Sequence, residues 1–91
     1  MDTRAVEVRV TGEVQGVSFR AYAAREAVRL ELAGWVRNEP DGAVAARLEG
    51  PADKIEEMLG WLHQGSPAAD VDGVQVREVA VSGEDSFEVG Y

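Results

Sequence analysis

The sequence predicts an α+β fold in which two helices cover one face of a mostly antiparallel sheet. Several short segments alternate apolar and polar residues with the period of a strand. Two other segments carry apolar residues at helical spacing, which is typical of amphipathic helices. Their order along the chain is βαββαβ, followed by a short C-terminal strand. A chain of 91 residues, 45% of them hydrophobic, is the size of one small domain, and we expect residues 1–91 to form it.

A short glycine-containing loop separates the first predicted strand from the first predicted helix. Valines alternate with polar residues over Ala5–Thr11, the pattern of a half-buried strand. Gly12–Val17 follows as the loop. Ser18 stands where a helix N-cap belongs, so we expect its hydroxyl to accept a hydrogen bond from the first turn. The apolar residues that follow predict a helix over about Phe19–Leu32.

The middle of the chain reads as a hairpin followed by the second helix. Strands are predicted at Gly34–Asn38 and Ala43–Glu49. They are joined by a turn at Pro40-Asp41-Gly42, where proline fixes φ at the first corner and glycine accepts a positive φ. Gly50-Pro51 begins the second helix, because proline suits a first turn, and Gly65 ends it.

The C-terminal third predicts a loop and two strands. The loop covers Ser66–Asp72, and the valines of the next strand change phase between Val76 and Val79. That change predicts a β-bulge near Arg77-Glu78. A short closing strand is expected over residues 87–91. The complete order is that of the ferredoxin-like split βαβ plait, a fold that supports many unrelated functions.

Composition narrows the classes of function. The net charge is −8, and most of it lies after residue 50, so no excess of positive charge is present to attract nucleic acid. The chain has no cysteine, which excludes disulfides, thiolate metal sites and a cysteine nucleophile. No apolar run is long enough to span a membrane, and the first residues do not resemble a secretory signal. We therefore expect a cytoplasmic protein with no membrane partner.

The loop before the first helix has the features of an anion site. It lies where backbone N–H groups can converge beside the positive end of a helix dipole. Gly16 has no Cβ, which allows an anion to approach closely. Arg20, in the first turn, can grip two oxygens with its planar guanidinium. The alternative reading is an ordinary strand–helix connection with a surface arginine.

The end of the second predicted strand holds the other candidate. Strand alternation places Asn38 on the same side as Val36, toward the helices. One amide offers both an acceptor and donors, which is enough to orient a water molecule. An asparagine at a strand end also commonly satisfies a turn, and that alternative stays open on this residue alone.

Taken together, the two segments resemble the signature motifs of the acylphosphatase family. The first is Gly-x-Val-Gln-Gly-Val-x-Phe-Arg, ending at Arg20, and the second is Gly-Trp-Val-x-Asn-x-x-Asp-Gly, ending at Gly42. The resemblance continues through Glu49-Gly50-Pro51, the Trp61-Leu62 helix end and Gly65-Ser66-Pro67. It indicates a small, free-standing acylphosphatase.

The resemblance implies a role for each matching residue. Arg20 corresponds to the arginine that grips the phosphate, and Asn38 to the residue that positions the attacking water. Gln15, Gly16, Val17 and Ser18 correspond to the stretch whose backbone N–H groups hold the phosphoryl oxygens. The family uses no metal or other cofactor. The implied partner is a small acyl phosphate, hydrolysed to a carboxylate and inorganic phosphate by a protein that we expect to be monomeric.

The same fold supports other functions. An RNA-binding plait would need stacking aromatics on the outer face of its central strands. The outward residues of the first and third strands include none; they are Glu7, Arg9, Thr11, Ala45, Arg47 and Glu49. A metal carrier would need cysteines. The stronger alternative is a non-catalytic module that binds acyl phosphate or carbamoyl phosphate.

Two titratable residues, Glu13 and His63, are expected to face solvent rather than the candidate site. Glu13 lies in the phosphate loop, where a carboxylate facing the phosphate would oppose binding, so we expect it to point to solvent. His63 is the chain's one histidine, and we expect it to be exposed near the end of the second helix. Neither Ser–His nor Cys–His chemistry is therefore anticipated.

Overall fold

The computed structural model describes residues 2–90. The elements are β1 (Thr3–Glu13), α1 (Phe19–Arg29), β2 (Ala33–Asn38), β3 (Val44–Pro51), α2 (Ala52–Gln64), β4 (Asp70–Val79) and β5 (Phe87–Val89). Their order is the predicted βαββαβ with an added strand, so the fold class is confirmed. Tyr91, at which the closing strand was predicted to end, lies outside the described residues.

The five strands form one sheet in the order β4-β1-β3-β2-β5. Three of its pairings are antiparallel, and β2 pairs with β5 in parallel. The central pair, β1 and β3, matches Val6 with Leu48 and Val10 with Val44. Because directly paired residues lie on one face of a sheet, these side chains all face the helices. They form the base of the core.

The predicted β-bulge near Arg77-Glu78 is wrong. Pairing of β4 with β1 continues without interruption through those residues. The register changes instead where Thr11 pairs with Gly73 and Gly12 with Val71, which leaves Asp72 as the extra residue. The irregularity therefore lies at the end of β1 that leads into the loop before α1.

The helices cover one face of the sheet with a continuous apolar core. Helix α1 buries Phe19, Ala23 and Ala27, and α2 buries Ile55, Met58 and Leu62. Full burial of one large apolar side chain, such as Phe19 or Met58, stabilises the fold by about 1.5–3 kcal/mol. The Phe19 ring contacts the Trp61 ring at a centroid distance of 5.6 Å, which joins the start of α1 to the end of α2.

Both ends of α1 differ from expectation. The helix ends three residues early, because Glu31 adopts a left-handed φ of 59°. The amides of Glu31 and Leu32 donate to the carbonyls of Val28 and Ala27, the pattern of a Schellman motif. Ser18 occupies the N-cap position, but it is also left-handed, with φ of 62°, and its hydroxyl makes no capping hydrogen bond. The expected side-chain cap is wrong, because that backbone conformation replaces the extended one that capping needs.

The opposite face of the sheet carries charged and polar side chains with one aromatic ring. Trp35 of β2 pairs with Arg47 of β3, and the Arg37 guanidinium lies 4.3 Å from the centroid of the Trp35 ring. Trp35 is not among the outward residues predicted for β1 and β3, because it lies on β2. Its ring is covered by an arginine of the same strand rather than left open for a base.

Candidate active site

A cleft of about 500 Å³ opens where the β1–α1 loop, α1, the end of β2 and β5 meet. Its walls are formed by Val14, Gly16, Ser18, Phe19, Arg20, Ala21, Asn38 and Val89. The cleft therefore brings together both candidate segments, which lie 18 positions apart between Arg20 and Asn38 in the sequence. Apolar side chains form the wall around the polar groups.

The loop at the rim of the cleft presents unpaired backbone donors. Gly16 has φ of 74° and Ser18 has φ of 62°, so the chain passes through left-handed conformations that turn successive amides toward one side. Within residues 2–90, the N–H groups of residues 15–18 donate to no protein acceptor. The first intrahelical hydrogen bond of α1 runs from the Tyr22 amide to the Ser18 carbonyl, so the positive end of the helix dipole lies beside this loop.

The side chain of Gln15 anchors this loop to the β2–β3 turn. Its Nε2 donates to the carbonyl oxygens of Glu39 and Ala43, at 2.8 and 2.9 Å. The turn is itself held by Asp41, which accepts from Arg9 and from the Ala43 amide. The Arg9 hydrogen bond, with help from that amide, lowers the pKa of Asp41 below its usual value. Gln15 thus fixes the loop relative to Asn38, which begins the same turn region.

Arg20 extends from the first turn of α1 into the cleft wall. Its Nη1 donates to the Gly90 carbonyl at 2.8 Å, just after β5. The side chain is half-buried. Since Arg20 also lines the cleft, its position is set by the C-terminal segment while its guanidinium borders the open space.

Asn38 contributes an unusual feature to the same cleft. Its Oδ1 atom is buried and, among the described residues, accepts no hydrogen bond. A buried acceptor without a partner costs about 1–3 kcal/mol. Asn38 itself lines the cleft, so its side-chain amide lies at the wall that also holds Gly16 and Arg20.

The cleft offers fixed positive charge and dipoles but no side chain that titrates near neutrality. Its described lining contains no aspartate, glutamate, histidine or lysine. Among residues 2–90, no group of three or more His, Cys, Asp or Glu side chains is placed to hold a metal ion. The arrangement can bind an anion, orient a water and stabilise developing negative charge.

Comparison with known proteins identifies the family. The family model described as Acylphosphatase matches residues 6–89. An acylphosphatase from Nocardioides sp. is 55% identical over 85 residues, which cover 93% of this chain and 86% of that protein. The crystal structure of acylphosphatase from Bacillus subtilis superposes with a TM-score of 0.94 at 35% identity, covering 97% of this chain and 99% of that one.

The chain belongs to the acylphosphatase family. It is a hydrolase of that family, and its reaction is cleavage of the carboxyl–phosphate bond of an acyl phosphate. The fold also occurs within larger proteins. Full-length HypF, crystallised in a phosphate- and nucleotide-bound form, matches with a TM-score of 0.88 at 27% identity, and the match covers 12% of that chain.

The structure gathers four of the six predicted site residues into the cleft wall: Gly16, Ser18, Arg20 and Asn38. Gln15 and Val17 do not line it, and their side chains point elsewhere: Gln15 binds the β2–β3 turn, and Val17 packs against the core. Glu13 is exposed and absent from the lining, as expected, and His63 is exposed near the end of α2.

Five contributors to the site were not predicted from the sequence, and two of them, Phe19 and Ala21, line the cleft from the start of α1. Val14 and Val89 line the cleft, and the Gly90 carbonyl holds Arg20. Val14 was predicted to lie in the loop Gly12–Val17, and its apolar side chain, which is buried, gave no sign of a role at the cleft. A backbone carbonyl leaves no signal in the residue type. Val89 could have been proposed from the alternation of the closing strand alone, because that alternation directs its side chain toward the helices.

Proposed function

We propose that the loop amides and Arg20 hold the phosphoryl group and that Asn38 positions the attacking water. The observation that carries this proposal is that Asn38, Arg20 and Gly16 line one cleft, although they come from two separate segments of the chain. The side-chain amide of Asn38 can hydrogen-bond a water molecule and so direct a lone pair of the water toward a bound phosphorus. The backbone N–H groups of residues 15–18 and the Arg20 guanidinium donate hydrogen bonds to the phosphoryl oxygens.

The chemistry of the cleft favours acyl phosphates over phosphate monoesters. An acyl phosphate expels a carboxylate, whose conjugate acid has a pKa of about 4, so it leaves without protonation. A monoester expels an alkoxide, whose conjugate acid has a far higher pKa, close to that of water. The described lining holds no side chain that could act as a general acid for that step.

The proposed reaction is an in-line displacement. Water held by Asn38 attacks phosphorus, the bond from phosphorus to the carboxylate oxygen breaks, and the carboxylate leaves with the bonding electron pair. The water proton passes to a phosphoryl oxygen, so the products are a carboxylate and inorganic phosphate. Arg20 and the loop amides stabilise the charge of the phosphoryl group during transfer.

A phosphate-release assay tests the proposal against its alternative. Acetyl phosphate and benzoyl phosphate should be hydrolysed, with equal rates in the presence and absence of EDTA, while a phosphate monoester should be left intact. Phosphate binding without turnover of either acyl phosphate would favour the non-catalytic acyl phosphate or carbamoyl phosphate module. A rate that falls with EDTA would contradict a site built from Arg20, Asn38 and backbone amides alone.

We also propose that residues 1–91 act as one acylphosphatase-like domain, supported by the single sheet and the continuous core. Within the described chain, neither helix is long and apolar enough to cross a membrane. A monomeric state and a cytoplasmic location stay predictions from the sequence. Gel filtration with light scattering would test the first, and fractionation of cells the second.

A further inference from the structure

Ser66 is a buried polar residue directly behind the phosphate loop. Only 2% of its surface is exposed, and it does not line the cleft. Its Oγ donates to the Val17 carbonyl at 2.8 Å. This contact joins the loop after α2 to the loop before α1, two segments separated by 49 positions in the chain.

The Val17 carbonyl belongs to the same peptide unit as the Ser18 amide. A trans peptide directs its C=O and N–H in opposite directions, and the described chain contains no cis peptide bond. A hydroxyl that holds the carbonyl inward therefore turns the Ser18 N–H outward. Ser18 is exposed and forms part of the cleft wall.

The surroundings of Ser66 make this anchor rigid. The Gly65 amide donates to the Trp61 carbonyl at the end of α2, and the Ala69 amide donates to the Ser66 carbonyl. Trp61 in turn contacts Phe19, the first residue of α1. Ser66 is thus held on the end of α2, and α2 is packed against the element that follows the loop.

We infer that Ser66 is a positioning residue for phosphate binding: its hydroxyl fixes the Val17–Ser18 peptide so that the Ser18 N–H faces the phosphoryl group. The inference rests on the phosphate-binding role proposed for the loop. Ser66 itself touches no substrate atom. Its removal should loosen one donor of the cradle rather than delete it.

Phosphate affinity separates a positioning role from a purely structural one. Ser66→Ala should raise the dissociation constant of inorganic phosphate and the KM for benzoyl phosphate by about tenfold, less than the factor of about 10²–10³ typical for losing a preorganised donor outright. Ser66→Thr retains the hydroxyl and should recover most of the affinity. Ser82→Ala is the matched control, because it also removes a hydroxyl hydrogen bond but lies on the other face of the sheet.

The possible results distinguish failure of this inference from failure of the proposed phosphate site. If Ser66→Ala leaves phosphate affinity unchanged while Arg20→Ala abolishes it, the role of Ser66 is overturned and the phosphate site stands. If neither variant alters phosphate affinity, both are overturned. An equal loss in Ser66→Ala and Ser82→Ala would also overturn it, since the effect would then be one of general stability.

A measurement on the unaltered protein covers the case in which Ser66→Ala does not fold. Titration with inorganic phosphate, followed by amide proton NMR, should shift the Ser18 amide proton downfield as it gains a charged acceptor. The Arg77 amide, on β4 at the opposite edge of the sheet from β5, serves as an internal control. A Ser18 amide that does not respond while other loop amides do would overturn the inference.

Discussion

The guanidinium of Arg20 donates a 2.8 Å hydrogen bond to the carbonyl oxygen of Gly90, a residue 70 positions later in the chain. Gly90 is held in turn, because its amide donates to the Val36 carbonyl of β2 at 2.7 Å. Strand β2 also ends in Asn38. The two proposed catalytic residues are therefore connected through one strand and the segment beside it.

Replacing Arg20 should impair both binding and turnover. Arg20→Ala removes a fixed cation and the fork that grips two oxygens, so kcat/KM should fall by at least about 10³, with a higher KM and a lower kcat. Arg25→Ala is the matched control, because Arg25 is exposed on the same helix, above the Tyr22 ring. Steady-state hydrolysis of benzoyl phosphate measures both variants. Comparable losses in the two would show that the helix charge matters rather than the position of Arg20.

Replacing Asn38 should affect turnover much more than binding. Asn38→Ala removes the cleft-lining amide proposed to orient water, so kcat should fall by about 10²–10³ while KM changes little. The dissociation constant of inorganic phosphate should stay close to that of the wild type, which controls for damage to the loop. Nearly normal turnover of acetyl phosphate by this variant would remove Asn38 from the mechanism.

Replacing Gly16 by alanine should show that the conformation of this loop matters for phosphate affinity as well as for stability. Gly16 has φ of 74°, and a Cβ there would meet no atom within 4 Å. Gly42 also has a positive φ, of 97°, and equally open surroundings, but it lies in the β2–β3 turn outside the cleft lining. Alanine at either position should cost about 1–2 kcal/mol of stability through the left-handed backbone.

Only the Gly16→Ala variant should also lose phosphate affinity, because the methyl group either enters the cleft or changes the direction of the loop amides. Chemical denaturation gives the stability of both variants, and calorimetry with inorganic phosphate gives the affinity. Equal phosphate affinity in Gly16→Ala and Gly42→Ala would contradict the placement of phosphate against this loop.

The features predicted correctly from the sequence are those that depend on local pattern. The valines at positions 6, 8 and 10 alternate, and they lie on the helix-facing side of β1 as expected. The helical stripe of α2 ends at Gly65, which follows the last residue of the helix. Gly16 and Arg20 are four positions apart around a helix start, so their common position in the cleft follows from local geometry.

The features that were missed depend on contacts distant in the chain. The apolar stripe of α1 continues through Leu30 and Leu32, and both are buried, although the helix has already ended. The β-bulge depends on which residues of β1 and β4 pair, and alternation within β4 alone does not contain that information. The contacts of Gln15 and Arg20 use backbone carbonyls as acceptors, which have no signature in the residue type.

The buried carboxylate of Glu49 should make the protein sensitive to acid. Only 5% of Glu49 is exposed, and its carboxylate accepts from the amides of Ser82, Gly83 and Glu84. These hydrogen bonds, led by the one from Ser82 and assisted by Arg47, lower the pKa of Glu49 below its usual value. A carboxyl with a depressed pKa stabilises the fold above its unfolded-state pKa, and that contribution is lost as the pH falls through the folded-state pKa.

Glu49→Gln should therefore lower the free energy of unfolding near neutral pH by about 2–3 kcal/mol, because hydrogen bonds to a charged acceptor are replaced by weaker ones. The difference from the wild type should shrink as the pH falls below the usual range for a glutamate, where the wild-type carboxyl also becomes neutral. Urea unfolding across that pH range measures it. Glu88→Gln, at an exposed position in β5, is the control and should change stability little at any pH. A difference between wild type and Glu49→Gln that persists unchanged into strong acid would show that Glu49 acts through its shape rather than its charge.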